Sequence, residues 1–391
     1  MAKTRVAIIG CGTIANAAHA PSYQKNPDVE IAYCVDIIPE RAQALKDKFG
    51  TENTKAITDY HEMLKDPTVQ AVSVCVPNYL HNPISIDCLR AGKDVLCEKP
   101  AAKTYALAKE MADAAHETGR ILNIGVVNRF NKAVNMVKDY VDAGKLGEVY
   151  HVYCSFRAHR SIPGLGGPFT TKELAGGGVL IDWGVHYLDL INYVLGIKEC
   201  RTVSGACYSK LATNMREYVY ENMWAGPPDY NGTYDVEEYV TGFIRTDKAT
   251  ISLNGSWAEN INDPASTFIE FIGDKGGIKL TYGGGFTFFG TKDGKLWQET
   301  PEIKVDNMFE EAREREAMRE HGVVTAHCAG SNINICSGIA PVRTLLREGN
   351  LVTLGSDIAG GALLAMNKVI TMSIRASKFR HMQTDGRDEF L

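Results

Sequence analysis

What this sequence lacks narrows the field first. Among its 391 residues no apolar run reaches the ~18 residues that a membrane span requires, so no membrane partner is expected. No Cys-x-x-Cys pair occurs, which leaves neither a zinc ribbon nor a redox dithiol indicated. Lys and Arg form no cluster that would follow a phosphate backbone, and a net charge of −5 points the same way, so nucleic acid is not an expected partner. There is no internal repeat and no low-complexity window. The first residues run straight into an apolar strand, which is expected to leave no room for a secretory signal. The ten cysteines are irregularly spaced. Several, such as Cys34, Cys75 and Cys154, interrupt apolar strands, where a buried thiol acts as a small hydrophobe. Reduced thiols make the cytoplasm the expected location.

What is present is material for two cores. The hydrophobic fraction of 45% and charged fraction of 23% are ordinary for a globular protein, and the length suffices for two domains. The first third alternates short apolar strands with helical stretches. Arg5-Val6-Ala7-Ile8-Ile9, residues 30–36, 71–76, 94–97 and 121–125 read as strands, and Pro39 opens a helix at its first turn. This is the pattern of an α/β doubly wound parallel sheet. From about residue 149 the strands lengthen, at 149–156, 238–245, 249–257 and 267–272, and are rich in Tyr, Val, Ile, Phe and Thr. They predict an α+β domain with a mainly antiparallel open sheet. This sheet carries a helix over 185–195, which Gly196 can cap, and its outer face is expected to be broadly apolar and to form a dimer contact. After about residue 309 a charged stretch leads into a further strand–helix–strand–helix unit, an atypical α/β appendage.

Gly10-Cys11-Gly12-Thr13-Ile14-Ala15 follows the first strand and precedes a helix-forming stretch, with Asp36 at the end of the second strand. That context suits a dinucleotide. Gly10 serves the tight turn, Gly12 lets a pyrophosphate approach, and Ala15 packs helix on strand. Asp36 can accept from ribose hydroxyls and would repel a 2′-phosphate, and Ile37 and Ile38 follow it in place of an arginine, so NAD is favoured over NADP. Pro77-Asn78-Tyr79-Leu80-His81 falls at the carboxyl edge of its strand, which places Asn78 and His81 beside the nicotinamide ribose; the alternative is a plain turn with an Asn cap.

Two further strings carry chemistry: Glu98-Lys99-Pro100 after a buried strand, and Asp182-Trp183-Gly184-Val185-His186 opening a helix. Pro100 holds Lys99 extended, and Asp182 and His186 share one helical face at a spacing of four. A lysine, a carboxylate and an imidazole can take a proton from an alcohol. Read blandly, they are a surface lysine, an N-cap and a core histidine.

Taken together these residues resemble the Gfo/Idh/MocA oxidoreductases over about residues 1–310. The resemblance implies a Rossmann domain over 1–125, a substrate and oligomerisation domain over 126–310, and an appendage over 311–391. It further implies that Lys99 holds the reacting hydroxyl, His186 is the general base, and Asp182 binds substrate and orients the site. Gly10, Gly12, Thr13, Ile14, Asp36, Pro77, Asn78, His81, Glu98 and Lys99 would line the cofactor. Arg129 matches a substrate-side position, and Arg157 and His159, on the strand before the 163–167 loop, are further candidates. The implied enzyme is an NAD-dependent dehydrogenase of a sugar, sugar derivative or cyclitol, a dimer or tetramer, which passes the carbinol hydride to nicotinamide. A non-catalytic NAD- and sugar-binding regulator is the alternative, and retention of Lys99, Asp182 and His186 argues against it.

The end of the chain departs from that family. The residues from Val323 through Gly361 resemble the last part of a guanine-deaminase-type amidohydrolase barrel, with Asp357 at its final metal position and His327 on a strand at a non-ligand position. The chain contains no His-x-His, so no catalytic zinc and no deaminase activity are expected. The tail is expected to dock beside the nucleotide domain.

Overall fold

The computed structural model describes residues 3–220, 223–261, 266–303, 324–327 and 351–354. The chain divides into two compact units, residues 1–303 and 304–391.

The first sheet of the larger unit contains β1 (Thr4–Ile9), β2 (Val29–Val35), β3 (Lys55–Ile57), β4 (Ala71–Val74), β5 (Asp94–Cys97) and β6 (Leu122–Ile124). Their order is β3-β2-β1-β4-β5-β6, and every pair is parallel. The apolar runs of β1, β2 and β4 are nearly continuous because helices cover both faces. Strand order reverses between β1 and β4, and in such sheets a ligand crevice opens at the carboxyl ends beside that point.

The connecting helices are α1 (Ala20–Lys25), α2 (Pro39–Phe49), α3 (Tyr60–Leu64), α4 (His81–Arg90) and α5 (Tyr105–Thr118). Local chemistry sets their ends. Pro39 occupies the first turn of α2, and the Thr104 hydroxyl accepts from Leu107 N–H at the start of α5. The stretch after the glycine turn differs from a plain α-helix: Ala15–His19 is a π-helical turn that leads into α1.

The second sheet runs β14-β13-β12-β11-β7-β10-β9-β8. Its strands are β7 (Val149–Arg157), β8 (Cys200–Tyr208), β9 (Tyr239–Thr246), β10 (Thr250–Ser256), β11 (Ser266–Gly273), β12 (Gly276–Thr281), β13 (Phe286–Lys292) and β14 (Lys295–Glu299). Only β7 and β10 pair in parallel; the other pairs are antiparallel. Helices α6 (Lys132–Asp142), α7 (Lys172–Ala175) and α8 (Val185–Leu195) belong to this half. Asn131 caps α6 by accepting from Ala133 and Val134 N–H. Along α8, Tyr187, Leu190, Ile191 and Val194 recur at helical spacing and bury against Cys154, Phe156 and Phe271, and Gly196 ends the helix at φ 62°.

The open face of this sheet corrects the expectation of a broad apolar surface. With Ile251 and Leu253 turned to the core, strand alternation turns Thr250, Ser252 and Asn254 outward, and these form a polar ladder. His151 Nδ1 lies 2.7 Å from Thr250 Oγ1, Ser252 Oγ lies 3.2 Å from His151 Nε2, and the Thr241 hydroxyl donates to Asn254 Oδ1 at 2.9 Å. Aromatic residues such as Tyr153 share this face, which is therefore mixed.

In the smaller unit, β15 (Val324–His327) and β16 (Leu351–Leu354) pair in parallel. His327 ends β15, whereas Asp357 and the remaining deaminase-like residues lie outside the described residues. Among the described residues no helix is long and apolar enough to cross a membrane.

Candidate active site

The carboxyl ends of β1, β2, β4 and β5 converge. Gly10 follows β1 at φ 90°, and its N–H donates to Val35 O at 2.8 Å. A Cβ there would stand 2.4 Å from Cys75 O, so the close approach of the chain just beyond β1 to that just beyond β4 requires glycine. At Gly12 a Cβ would meet nothing within 4 Å. That open backbone, ahead of a helical turn, fits a dinucleotide pyrophosphate. Thr13 and Ile14 are exposed on the same turn, and Ala15 is buried beneath it. Asp36 is drawn into the loop: Oδ2 accepts from Cys11 N–H at 2.8 Å and Oδ1 from Ile38 N–H at 2.9 Å. The acid thus braces the turn, and each oxygen keeps a second lone pair for a ribose hydroxyl.

After β4, Pro77 is exposed, and the Asn78 amide donates to Ala175 O at 2.9 Å, tying this edge to the end of α7. His81 corrects an expectation. It is buried, with Nδ1 2.6 Å from Pro100 O and Nε2 2.8 Å from Val76 O, so both ring nitrogens serve the backbone and neither is offered to a ribose. Burial lowers its pKa.

Glu98, Lys99 and Pro100 follow β5, and the Lys99–Pro100 peptide is cis. Glu98 lies in a network that sequence reasoning missed. Its Oε1 is 2.7 Å from His19 Nε2, while Ser73 Oγ lies 3.1 Å from His19 Nδ1 and 2.6 Å from the Tyr23 hydroxyl. Burial opposes ionisation of Glu98, yet the His19 hydrogen bond and charge, together with Lys99, hold its pKa below the ordinary value. The only sequence signal for this network was the pair of polar residues, His19 and Ser73, in otherwise apolar stretches.

Lys99 Nζ donates to Asp182 O at 2.9 Å and to Asp182 Oδ1 at 2.7 Å. An ammonium has three N–H groups, so one remains to receive a substrate oxygen. The other carboxylate oxygen, Asp182 Oδ2, accepts from the indole N–H of Trp257 at 3.2 Å, and Trp257 is fully buried. Asp182 is therefore held rigidly and aims Lys99. It lies in a π-helical turn, Leu180–Gly184, instead of the α-helix expected from the spacing, and α8 begins immediately after with His186 in its first turn. Burial first, and then the Lys99 charge, lowers the His186 pKa to about 4; Asp182, Glu98 and Asp189 oppose this. A neutral imidazole at pH 7 is equipped to accept a proton.

Asn128 was also missed. One atom of its carboxamide, Nδ2, lies 3.2 Å from His186 Nδ1 and 2.7 Å from the Tyr282 hydroxyl. The arginines are paired. Arg129 Nε and Nη2 donate to Asp189 at 2.8 and 2.5 Å. Arg157 Nε and Nη2 donate to Glu259 Oε2 at 3.2 and 2.6 Å, and His159 Nδ1 lies 3.0 Å from Glu259 O. Among the described residues no group of three His, Cys, Asp or Glu side chains could hold a metal.

Comparison with known proteins gives the family. Residues 4–126 match the GFO/IDH/MocA oxidoreductase family's NAD-binding Rossmann fold, and residues 134–279 match the family's C-terminal domain. D-glucoside 3-dehydrogenase of Escherichia coli (strain K12) is 36% identical over 277 residues, which span 71% of this chain and 76% of that protein. Myo-inositol 2-dehydrogenase of Thermotoga maritima is 29% identical over 192 residues, 49% of this chain and 55% of that one. A levoglucosan dehydrogenase structure in complex with NADH and levoglucosan superposes with a TM-score of 0.66 at 22% identity, over 77% of this chain and 80% of its own, and shares the fold. On both matched domains and the resemblance at full-domain length, this chain belongs to the GFO/IDH/MocA oxidoreductase family.

Proposed function

We propose that this oxidoreductase interconverts a secondary hydroxyl and a ketone on a neutral sugar, sugar derivative or cyclitol, using NAD. The glucoside and inositol specificities named for its relatives support the substrate class. The observation that carries the reading is the Lys99 ammonium, held on Asp182 by two hydrogen bonds beside a neutral His186.

Lys99 receives the substrate oxygen on its third N–H and stabilises alkoxide character as it develops. His186 takes the hydroxyl proton and becomes imidazolium. NAD, when bound along Gly10, Gly12, Asp36 and Glu98, supplies the acceptor for the hydride that leaves the carbinol carbon, so alcohol becomes ketone. Asp182 and Trp257 keep Lys99 in place throughout.

Charge pairing supports a neutral substrate. Lys99, Arg129 and Arg157 each already face a carboxylate, so a phosphate or carboxylate on the substrate would have to displace Asp182, Asp189 or Glu259. A division at about 125/126 and 310/311, a homo-oligomer through the open sheet and a cytoplasmic location belong to the same reading. Six cysteines among the described residues are buried free thiols, which supports the last of these.

The test is a panel of neutral glycosides, free sugars and inositols, with sugar phosphates and nucleotide sugars alongside, each with NAD and with NADP. Absorbance of the reduced cofactor is the readout. Turnover confined to phosphorylated substrates would refute the neutral class, and no turnover with any polyol would remove the catalytic reading.

A further inference from the structure

A base that cycles between neutral imidazole and imidazolium needs something defined at its far nitrogen. Here that partner is Asn128, on the short helical turn Val127–Phe130. Its carboxamide atom 3.2 Å from His186 Nδ1 is also 2.7 Å from the Tyr282 hydroxyl. Tyr282 is itself fixed. Its ring stacks on Tyr187 with centroids 4.5 Å apart, and Tyr187 stacks on Phe156 at 4.7 Å. Burial raises the Tyr282 pKa, so the phenol keeps its proton and can donate it. Among the described residues nothing hydrogen-bonds His186 Nε2.

A carboxamide has the same outline in both orientations, and its hydrogen bonds decide which is adopted. With nitrogen towards His186, the amide donates to Nδ1. The Nδ1 atom must then carry the lone pair, and a neutral ring is left with its proton on Nε2, where a base needs none. With oxygen towards His186, the amide accepts from Nδ1–H and from the Tyr282 hydroxyl together, and the lone pair stands at Nε2. After proton uptake the imidazolium bears N–H on both nitrogens, and again only the amide oxygen suits Nδ1–H. One orientation therefore serves both states of the cycle, and the other serves neither.

We propose that Asn128 is a positioning residue: its Oδ1 accepts from His186 Nδ1–H and from the Tyr282 hydroxyl, which fixes the His186 tautomer and presents the Nε2 lone pair to the substrate hydroxyl. The inference rests on the general-base reading of His186 given above. The charged groups facing His186 are Lys99 and Glu98 beyond β5, Asp182 on the preceding turn and Asp189 on α8. Substitution at Asn128 leaves all four in place.

The closing experiment has one arm that needs no turnover. Full-length protein labelled with 15N-histidine is examined at pH 7.5, and His186 is identified by the signal missing from His186→Gln. The expected spectrum has a protonated Nδ1 and an unprotonated Nε2 in the wild type, with the proton redistributed towards Nε2 in Asn128→Leu. A wild-type His186 with its proton on Nε2 overturns the proposal, whatever the enzyme oxidises.

The second arm measures kcat against pH with a substrate from the panel. Asn128→Leu should lose roughly 10- to 100-fold in kcat, the usual cost of removing a group that orients a functional side chain. NAD binding and melting temperature should stay close to wild type. Asn128→Asp, equal in shape, should restore most of the rate and move the acid limb to higher pH, because a carboxylate stabilises the imidazolium. Tyr282→Phe should lie between wild type and Asn128→Leu. An Asn128→Asp acid limb superposed on wild type, or equal losses in both Asn128 variants, shows a structural role only and refutes the assignment. If no polyol is oxidised by wild type, the functional reading fails on its own, and the spectrum still decides the tautomer.

Discussion

The two sheets of the larger unit build their parts of the site by different means. On the parallel sheet the candidate groups follow the strands: Gly10 after β1, Asp36 after β2, Asn78 on the helical turn beyond β4 and Lys99 beyond β5. Backbone geometry and short hydrogen bonds place them, as when Asp36 accepts from Cys11 and Ile38 N–H. On the antiparallel side the groups are placed by side chains distant in sequence. Trp257 on the chain after β10 holds Asp182, and Tyr282 after β12 holds the Asn128 amide. The first half is an edge placed by its backbone, most tightly at Gly10. The second half is a lattice of hydrogen bonds between side chains distant in sequence.

The largest effect that would sharpen this contrast is on turnover. Lys99→Ala and His186→Ala should each lower turnover by roughly 100-fold or more, the usual weight of a general acid–base group, with NAD affinity nearly intact. Steady-state kinetics together with NAD titration by tryptophan fluorescence measure both. His186→Ala turnover near wild type would remove the base role.

Next come the two glycines of the first loop, which ought to respond differently. Gly10→Ala forces a Cβ to 2.4 Å from Cys75 O at a positive φ, so melting temperature should fall, at a cost above about 1 kcal/mol. Gly12→Ala meets no atom within 4 Å and should melt like wild type while NAD binding weakens. Equal melting temperatures for the two variants would break the contrast drawn for this edge.

A smaller effect concerns cofactor choice. Wild type should prefer NAD to NADP, and Asp36→Ala should narrow that preference, because a carboxylate at the end of β2 would repel a 2′-phosphate brought against it. Since Asp36 also braces Cys11 and Ile38, the variant should also melt earlier. Equal binding of NADP by wild type sinks the assignment.

The smallest effect is on stability against pH. His186 has a pKa of about 4 when folded, below the ordinary 6.5 that it regains on unfolding. Between those values the unfolded chain binds more protons, so stability rises with pH across that window and falls as the medium is acidified from 6.5 towards 4. Buried His81, shifted in the same direction, adds to the slope. Melting curves of wild type and His186→Gln between pH 4.5 and 7 compare directly; an unchanged slope in the variant contradicts the burial cause.

Much of this was legible in the residues. Nearly continuous apolar strands alternating with helices specified the parallel sheet, because a strand covered on both faces has few places for polar groups. Gly10, Asp36, Lys99, Asp182 and His186 could be singled out as candidates because each belongs to a short string whose spacing has a geometric meaning. The outer face of the second sheet was misread: counting Tyr, Val and Ile does not show that Thr250, Ser252 and Asn254 alternate outward on one strand. His81 was misread because its loop position resembles that of a ligand, while burial against Val76 O and Pro100 O is a property of the packed chain.

The sequence by itself determined the periodicities, the glycine turn and the strings around Lys99 and His186, since those depend on neighbours within a few residues. Only the tertiary structure decided which carboxylate each cation meets, and that the Asn128 amide lies between His186 and the Tyr282 hydroxyl. Those pairs join residues separated by 60 positions in Arg129–Asp189 and by 154 in Asn128–Tyr282. No local pattern encodes such a contact. It arises when the helices and turns at the ends of two separately cored sheets pack together, and burial leaves each polar group dependent on the partner that the packing brings within reach.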